Sequence, residues 1–170
     1  MKTAAVIVAL AVALALQTTL AGLRIGSTTV VNLVLVVVIY AALAFGPTGG
    51  VIAGTVGGLI QDSLTGGIIG IGGFAKTLAG FLVGLLGAQF IVSTAVARFV
   101  MFVAATVLHE ACFQALSALV EARPFRLVYA TVLTQGMVNA VVGILAFALV
   151  ENGPDMLQRR RGRGFRRRNY

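Results

Sequence analysis

Three places along this apolar chain carry side chains that could do chemistry. Asp62 lies in the run GLIQDSLTGG and is followed fourteen residues later by Lys76, while His109 and Glu110 stand together in another apolar stretch. An acid buried in a membrane can serve a proton relay, and a His–Glu pair can belong to a zinc site. However, the second histidine of HExxH is missing, and the sequence has neither a nucleophile–base set nor a GK[ST] phosphate loop. We therefore predict no enzyme activity, no metal site and no cofactor.

The helices that position these residues are predicted to lie in a membrane. The chain has 170 residues, of which 59% are hydrophobic and only 11% are charged, and its mean hydropathy is +1.01. A soluble domain of this length needs more polar surface, because its outside must face water. Uncharged apolar runs of about 18 or more residues are typical of membrane spans. The composition therefore predicts an all-α integral membrane protein.

Six apolar segments are predicted to form transmembrane helices. They cover roughly residues 3–22, 29–45, 48–63, 72–91, 98–120 and 126–150, and Gly46-Pro47 separates the second from the third. Because the third is short and rich in glycine, five spans plus a re-entrant segment remain an alternative. The connections are short, so we expect one compact bundle over residues 1–155. A basic, disordered cytoplasmic tail is predicted over residues 156–170.

The basic tail determines the predicted orientation. Seven of the 13 Lys and Arg residues lie in the last twelve positions, namely Arg159, Arg160, Arg161, Arg163, Arg166, Arg167 and Arg168. The positive-inside rule predicts that this tail is cytoplasmic, and with six spans the N-terminus is cytoplasmic too. Five spans would put the N-terminus outside. We expect the arginines to bind anionic phospholipid headgroups, and we expect no binding to nucleic acid.

Glycine recurs every fourth residue in the third segment, at Gly50, Gly54 and Gly58, and again in the fourth at Gly80 and Gly84. Such ridges of small residues let helix backbones approach closely, which is how helices associate in lipid. The pattern favours packing within the molecule. A seam for a partner helix or a ligand groove is the alternative.

Asp62 is predicted to close the hairpin between the third and fourth segments near the outer interface. Its carboxylate would pair with Lys76 or accept hydrogen bonds from N–H groups in the turn between Gly66 and Gly73, because donors left bare in lipid are costly. A contact with a partner or ligand is the second possibility, and a proton relay is the third.

Polar side chains form a stripe on each of the last two segments. If the turn over 121–126 folds these segments antiparallel, the stripes meet. The predicted pairs are Glu110 with Asn139, Gln114 with Gln135, and Ser117 with Thr131. Such facing stripes more often mean hydrogen bonds between helices than catalysis.

The runs NLVLVVVIYAALAFGPTGGVIAG and GGLIQDSLTGGIIGIGGFAKTLAGFLVGLL resemble the rod shape-determining protein MreD family. The shared order is a span ending near a tyrosine, a glycine-rich third span, a D-x-L-x-G turn and a fourth span containing G-[FY]-L. The matching residues are Tyr40, Gly54, Gly58, Asp62, Leu64, Gly66, Gly70, Gly80, Phe81 and Leu82. One departure is Val31 before Asn32, where the family often has a proline.

The resemblance implies a non-enzymatic scaffold subunit of the bacterial cell-elongation complex, which synthesises peptidoglycan at the cytoplasmic (inner) membrane. It implies that the protein binds MreC and is linked through MreC to MreB, RodA and the elongation transpeptidase. The glycines, Asp62, Lys76, Glu110 and Asn139 would then be structural residues or partner contacts.

The alternative from another class is a subunit of a small-solute transporter, similar to the substrate-binding component of energy-coupling-factor transporters. Those components are also six-span bundles of similar size. A transporter component needs a polar outward pocket and loops long enough to cover it. The loops here are too short for an obvious lid, so the sequence favours the scaffold.

Overall fold

The computed structural model describes residues 2–19, 24–25, 28–29, 31–90, 94–122, 124–125 and 128–166. Side chains are described for 3–19 and, within the remaining ranges, for 31–150. The helices are α1 (Lys2–Thr19), α2 (Leu33–Thr65), α3 (Ile71–Gln89), α4 (Ala95–Val120) and α5 (Tyr129–Arg166). Two antiparallel strands, β1 (Arg24–Ile25) and β2 (Thr28–Thr29), lie between α1 and α2.

The prediction of an all-α membrane protein fits this structure, but the count of six transmembrane helices does not. Four helical stretches are long and apolar enough to cross a membrane, and the apolar part of α1, Thr3–Thr19, is shorter. The four are Leu33–Thr65, Ile71–Gln89, Ala95–Val120 and Tyr129–Val150. The protein is therefore a multi-pass helical membrane protein with five helices in the described part of the chain.

The count differs because α2 unites the second and third predicted segments around a sharp bend. Gly46 has φ 75° and ψ −166°, a non-helical conformation that glycine adopts without strain, and Pro47 follows it. In a straight helix, residues 34 and 57 would lie about 34 Å apart. Instead, a Cβ built on Gly57 would lie 3.1 Å from Cγ1 of Val34. The two parts of α2, residues 33–45 and 47–65, therefore pack antiparallel.

The first part of α2 is the short one, although the sequence placed the short span third. Its 13 residues extend over only about 20 Å, less than the ~30 Å of a bilayer core. It is also the most enclosed stretch, since Val34, Leu35, Val38 and Ile39 have no exposed surface. Most of this part of α2 consequently lies at the centre of the bundle, and its exposed residues are the last two, Ala44 and Phe45.

The second part of α2 packs against α3 with backbone touching backbone. A Cβ added to Gly54 would lie 2.7 Å from Cα of Thr77, and one added to Gly58 would lie 2.5 Å from Cα of Gly73. A Cβ added to Gly50 would likewise collide with the backbone of Gly80. We call this contact the glycine seam, defined by Gly50, Gly54, Gly58, Gly73 and Gly80. The hydroxyl groups of Thr55 and Thr77 bind each other across it at 2.8 Å.

The start of α1 and the end of the apolar part of α5 lie at the same end of the bundle. Val6 of α1 packs against a buried cluster that includes Ala41, and the ring of Phe147 in α5 lies 4.7 Å from that of Tyr40. Both contacts are made near the Gly46 bend. The turns after α2 and α4 lie at the opposite end, which we call the turn end.

Helical structure continues through Arg166 in α5, beyond the domain boundary that the sequence predicted at residue 155. Residues 167–170, which include Arg167 and Arg168, lie outside the described residues. The side chains of the other five tail arginines are not described either, so the lipid contact stays a prediction.

The glycine seam gives a first prediction. Gly54→Ala should lower the free energy of unfolding by about 1–3 kcal/mol, because the new methyl group would collide with the backbone of α3. Gly136→Ala is the matched control in another helix, since its Cβ would lie 3.5 Å from Cγ1 of Val103, an ordinary contact. This control should be neutral or stabilising by up to about 1 kcal/mol, because alanine favours a helix more than glycine does. Thermal unfolding of both variants in detergent, compared with the wild type, would check this. Equal melting temperatures for the two variants would contradict the close backbone contact at Gly54.

Candidate functional site

Asp62 closes the turn end of the glycine seam. Its side chain is 6% exposed, and its Oδ2 accepts hydrogen bonds from the N–H groups of Gly70 at 2.9 Å and Gly73 at 3.0 Å. Gly70 is the N-cap of α3 and has no side chain that could cap it. Asp62 thus reaches over from α2 and places its carboxylate at the positive end of the α3 dipole.

Gly66, four residues after this acid, caps the C-terminus of α2. It adopts a left-handed conformation with φ 69°, as C-terminal glycines of helices commonly do. A Cβ there would meet nothing within 4 Å, so the positive φ, and not close packing, favours glycine at this position. Gly66 reverses the chain so that Gly70 and Gly73 return to the carboxylate.

Lys76 is buried beneath this turn but does not form the close pair with Asp62 that was one of the two predicted arrangements. Its side chain is 3% exposed. Within the described part of the chain it makes no hydrogen bond and no ion pair within 4 Å. It interacts electrostatically with Asp62 and Glu110 over longer distances. The N–H groups of the turn therefore bind the Asp62 carboxylate. The ammonium group of Lys76 balances the negative charge of this carboxylate from a longer distance.

A second polar arrangement lies where α2 begins inside the bundle. The N–H of Asn32 donates to Oδ1 of Asn139 at 2.9 Å, and the N–H of Leu33 donates to Oε1 of Gln17 at 2.8 Å. Oδ1 of Asn32 accepts from the N–H of Leu35 at 3.1 Å. We call these three side chains, Gln17, Asn32 and Asn139, the amide network.

The amide network supplies hydrogen-bond partners for the first N–H groups of the short central helix. The first N–H groups of a helix lack partners within the helix, and each bare donor in hydrocarbon costs several kcal/mol. Gln17 also donates to the carbonyl of Val31 at 2.9 Å, so one amide binds α1 to the start of α2. Sequence reasoning overlooked Gln17, although an amide within the apolar α1 was the signal that could have revealed it.

The polar stripes of α4 and α5 meet, but one helical turn away from the predicted register. Nδ2 of Asn139 donates to Oγ1 of Thr106 at 3.2 Å, so Asn139 does not pair with Glu110. Glu110 lies beside Gln135 and Gln114 instead. The shift arises because α4 extends about one turn beyond the level where α5 begins, whereas the predicted pairs assume that both helices end at the same level. Both Glu110 and Asn139 are nevertheless buried.

A polar cluster lies between the amide network and the turn end, and several of its atoms lack partners. It consists of Lys76, His109, Glu110 and Gln135. His109 and Gln135 are 3% and 1% exposed, yet neither imidazole nitrogen and neither amide atom has a hydrogen bond of good geometry. The His109 ring stacks on Phe113 at 6.1 Å, and its Nδ1 lies 3.7 Å from Oε1 of Glu110. No group of three His, Cys, Asp or Glu residues in the described chain could hold a metal ion.

The Asp62 cap gives a second prediction. Asp62→Asn should keep most of the stability, because the amide oxygen can still accept from Gly70 and Gly73. Asp62→Leu should cost about 1–3 kcal/mol, since it leaves both donors without an acceptor. Melting temperatures and membrane accumulation of the two variants would measure the difference. A leucine variant as stable as the asparagine variant would show that the cap is dispensable.

A third prediction compares Asn139 and Gln135, which lie one turn apart on α5 and differ in their hydrogen-bond partners. Asn139→Leu should cost about 1–3 kcal/mol, since it leaves the N–H of Asn32 without an acceptor. Gln135→Leu should cost less than Asn139→Leu, because the Gln135 amide lies beside the carboxyl group of Glu110 but makes no well-formed hydrogen bond. The two variants are to be compared by thermal unfolding in the same detergent. The reverse order of stability would overturn the assignment of these two roles.

The comparisons with known proteins give one match. The profile of the family described as rod shape-determining protein MreD matches residues 1–152. No curated protein and no solved structure matches the chain, and nothing in the comparisons supports a transporter subunit. The match extends well beyond residues 30–90, where the motifs were recognised, and includes all five helices at least in part. The chain therefore belongs to the MreD family of rod shape-determining membrane proteins.

Proposed function

We propose that this protein is a non-enzymatic scaffold subunit of the bacterial cell-elongation complex and that it binds MreC in the cytoplasmic membrane. Membership of the MreD family carries the proposal, because it makes the chain a rod shape-determining membrane protein. Through MreC the protein would be linked to MreB, RodA and the elongation transpeptidase. Its role would be to hold a membrane helix of the partner in position.

The polar side chains join elements of the bundle to one another, and this supports a scaffold function. Asp62 binds the turn before α3, Asn139 binds the start of α2, and Gln17 ties α1 to the same place. Each of these contacts joins two elements of the chain and satisfies backbone donors. A bundle fixed in this way has a defined outer surface, which a scaffold needs if it is to set the position of a partner.

The lipid-facing surface is also suited to this role. Large apolar side chains such as Ile7 and Val8 on α1, Val96 on α4 and Val141 on α5 are more than half exposed. Lipid chains, or a transmembrane helix of another protein, can pack against such faces through van der Waals contacts.

We further propose that both termini are cytoplasmic and that the basic tail binds anionic phospholipids. The common location of the start of α1 and the end of the apolar part of α5 supports an even number of crossings. The seven arginines in the last twelve residues support a cytoplasmic tail. Each basic residue near an anionic surface contributes about 1 kcal/mol to binding.

A fourth prediction concerns this orientation. Reporters that are active only in the cytoplasm should be active when fused at either Met1 or Tyr170. Reporters that are active only outside should be inactive at both ends and active when inserted at Gly67, which is exposed in the α2–α3 turn. Termini on opposite sides of the membrane would refute the proposed topology and favour five spans.

A fifth prediction tests the partner. The full chain, expressed with MreC from the same organism, should co-purify with it in mild detergent and restore rod shape to cells that lack the protein. Gly136→Ala should behave like the wild type. Gly54→Ala, which opens the glycine seam, should lose co-purification and rod shape together. If the wild-type chain accumulates normally yet neither binds MreC nor restores shape, the proposed function is wrong.

A further inference from the structure

A cavity of about 630 Å³ lies at the turn end, between the α2–α3 turn and the ends of α4 and α5. Asp62 and Ile68 line one wall, while Gln114 and Ser117 of α4 and Val128, the residue before α5, line the other. We call it the turn-end cavity. Protein interiors are otherwise close-packed, so a gap of this size shows that packing does not hold the two walls together.

At the opposite end of the bundle the same two helices are firmly packed. Phe102 of α4 and Phe147 of α5 belong to the main hydrophobic core, together with Leu35 of α2 and Val83 of α3. Phe102 has no exposed surface, and the ring of Phe147 lies 4.7 Å from that of Tyr40. Close-packed rings resist displacement. The hairpin of α4 and α5 is therefore fixed at this end and separated from its neighbours at the turn end.

The amide network attaches this hairpin to the centre of the bundle between the two ends. Asn139 of α5 accepts from the N–H of Asn32 at 2.9 Å and donates to Oγ1 of Thr106 on α4 at 3.2 Å. Breaking such bonds in hydrocarbon is costly, because water does not replace them. A movement that preserves them is a rotation of the hairpin about Asn139, and it displaces the turn end most.

The polar cluster lies between this attachment and the turn-end cavity, at the interface of α3 with α4 and α5. His109 of α4 and Gln135 of α5 are buried there without hydrogen-bond partners for their side-chain atoms. Lys76 of α3 interacts electrostatically with Glu110 of α4 but forms no ion pair within 4 Å in the described part of the chain. Buried polar groups without partners are costly. An arrangement that brings the helices closer here and supplies partners is therefore favoured.

Glu110, and not Asp62, is the acid whose distance from Lys76 depends on this movement. Asp62 and Lys76 belong to the two helices that the glycine seam holds together, and Oδ2 of Asp62 already accepts from the turn N–H groups. Glu110 lies across the interface, on the hairpin that can rotate. An ammonium N–H of Lys76 can then donate to the Glu110 carboxyl group in a closed arrangement.

We propose that the hairpin of α4 and α5 closes against α3 at the turn end by rotating about Asn139, and that Lys76 and Glu110 form the contact that holds the closed arrangement. Closure narrows the turn-end cavity and brings its two walls together. It also changes the position of the lipid-facing surfaces of α4 and α5, so this inference goes beyond a scaffold with one fixed surface.

Disulfide trapping across the turn-end cavity tests closure in the full chain. In a Cys112→Ala background, Ile68→Cys with Ser117→Cys places one thiol in each wall. Mild oxidation in nanodiscs should form the intramolecular disulfide at least about tenfold faster than in Ile69→Cys with Leu119→Cys, because a disulfide requires direct proximity. This control pair lies at the same level, but its native side chains are 66% and 79% exposed. Mass spectrometry of the monomer would give both rates.

The closing contact is tested in the same Ile68–Ser117 cysteine pair. Lys76→Met and Glu110→Gln should each slow trapping severalfold, and the double variant should be no slower than either one, because both changes remove the same contact. Asp155→Asn, far along α5, should leave the rate unchanged.

Three results would overturn the proposal. They are trapping no faster than in the control pair, trapping that neither single variant slows, and a double variant whose slowing is the product of the two single effects. Trapping that is fast but insensitive to both variants would mean that the walls are permanently close. The measurement contains no MreC, so it can fail while the proposed scaffold function holds.

Discussion

The contact on which the rest of the structure depends is the glycine seam between the second part of α2 and α3. Water does not drive helices together inside a bilayer, so their association relies on close packing and hydrogen bonds. Gly54 and Gly58 bring two backbones to a separation that any larger residue would prevent. The seam also places Asp62 directly over the N-terminus of α3, where it accepts from Gly70 and Gly73. The close approach of α2 and α3 thus produces both the backbone packing at the seam and the capping of α3 by Asp62.

The seam leaves the first part of α2 at the centre of the bundle, and this arrangement explains the distribution of polar groups. A short helix that begins inside a membrane protein must have its first N–H groups satisfied by other side chains. Gln17 and Asn139 come from the first and last helices to do so. The outer helices are thereby fixed to the centre by hydrogen bonds, while their lipid-facing surfaces remain apolar. This combination fits the proposed scaffold function, because a scaffold acts through a stable surface.

Much of this organisation could be predicted from the sequence, and the remainder depends on distances that a pattern does not contain. Composition indicates the membrane, and the four-residue spacing of Gly50, Gly54 and Gly58 indicates close packing. Gly46 was expected to interrupt the helix and does so, separating two antiparallel helical segments, but the first segment is too short to cross a bilayer core by itself. The register of Asn139 was wrong by one turn, because the path of the α4–α5 loop is not encoded in either helix.

The most direct test of the glycine seam is a disulfide across it. Thr55 and Thr77 bind each other through their hydroxyl groups at 2.8 Å, so cysteines at both positions have the proximity that a disulfide requires. In a Cys112→Ala background, Thr55→Cys with Thr77→Cys should lose both free thiols in native membranes under mild oxidation, as measured by maleimide labelling and mass spectrometry of the monomer. Thr55→Cys with Phe81→Cys, whose native ring is exposed on α3, should keep both thiols. Two unpaired thiols in the first variant, or pairing only between separate chains, would contradict the packing of α2 against α3.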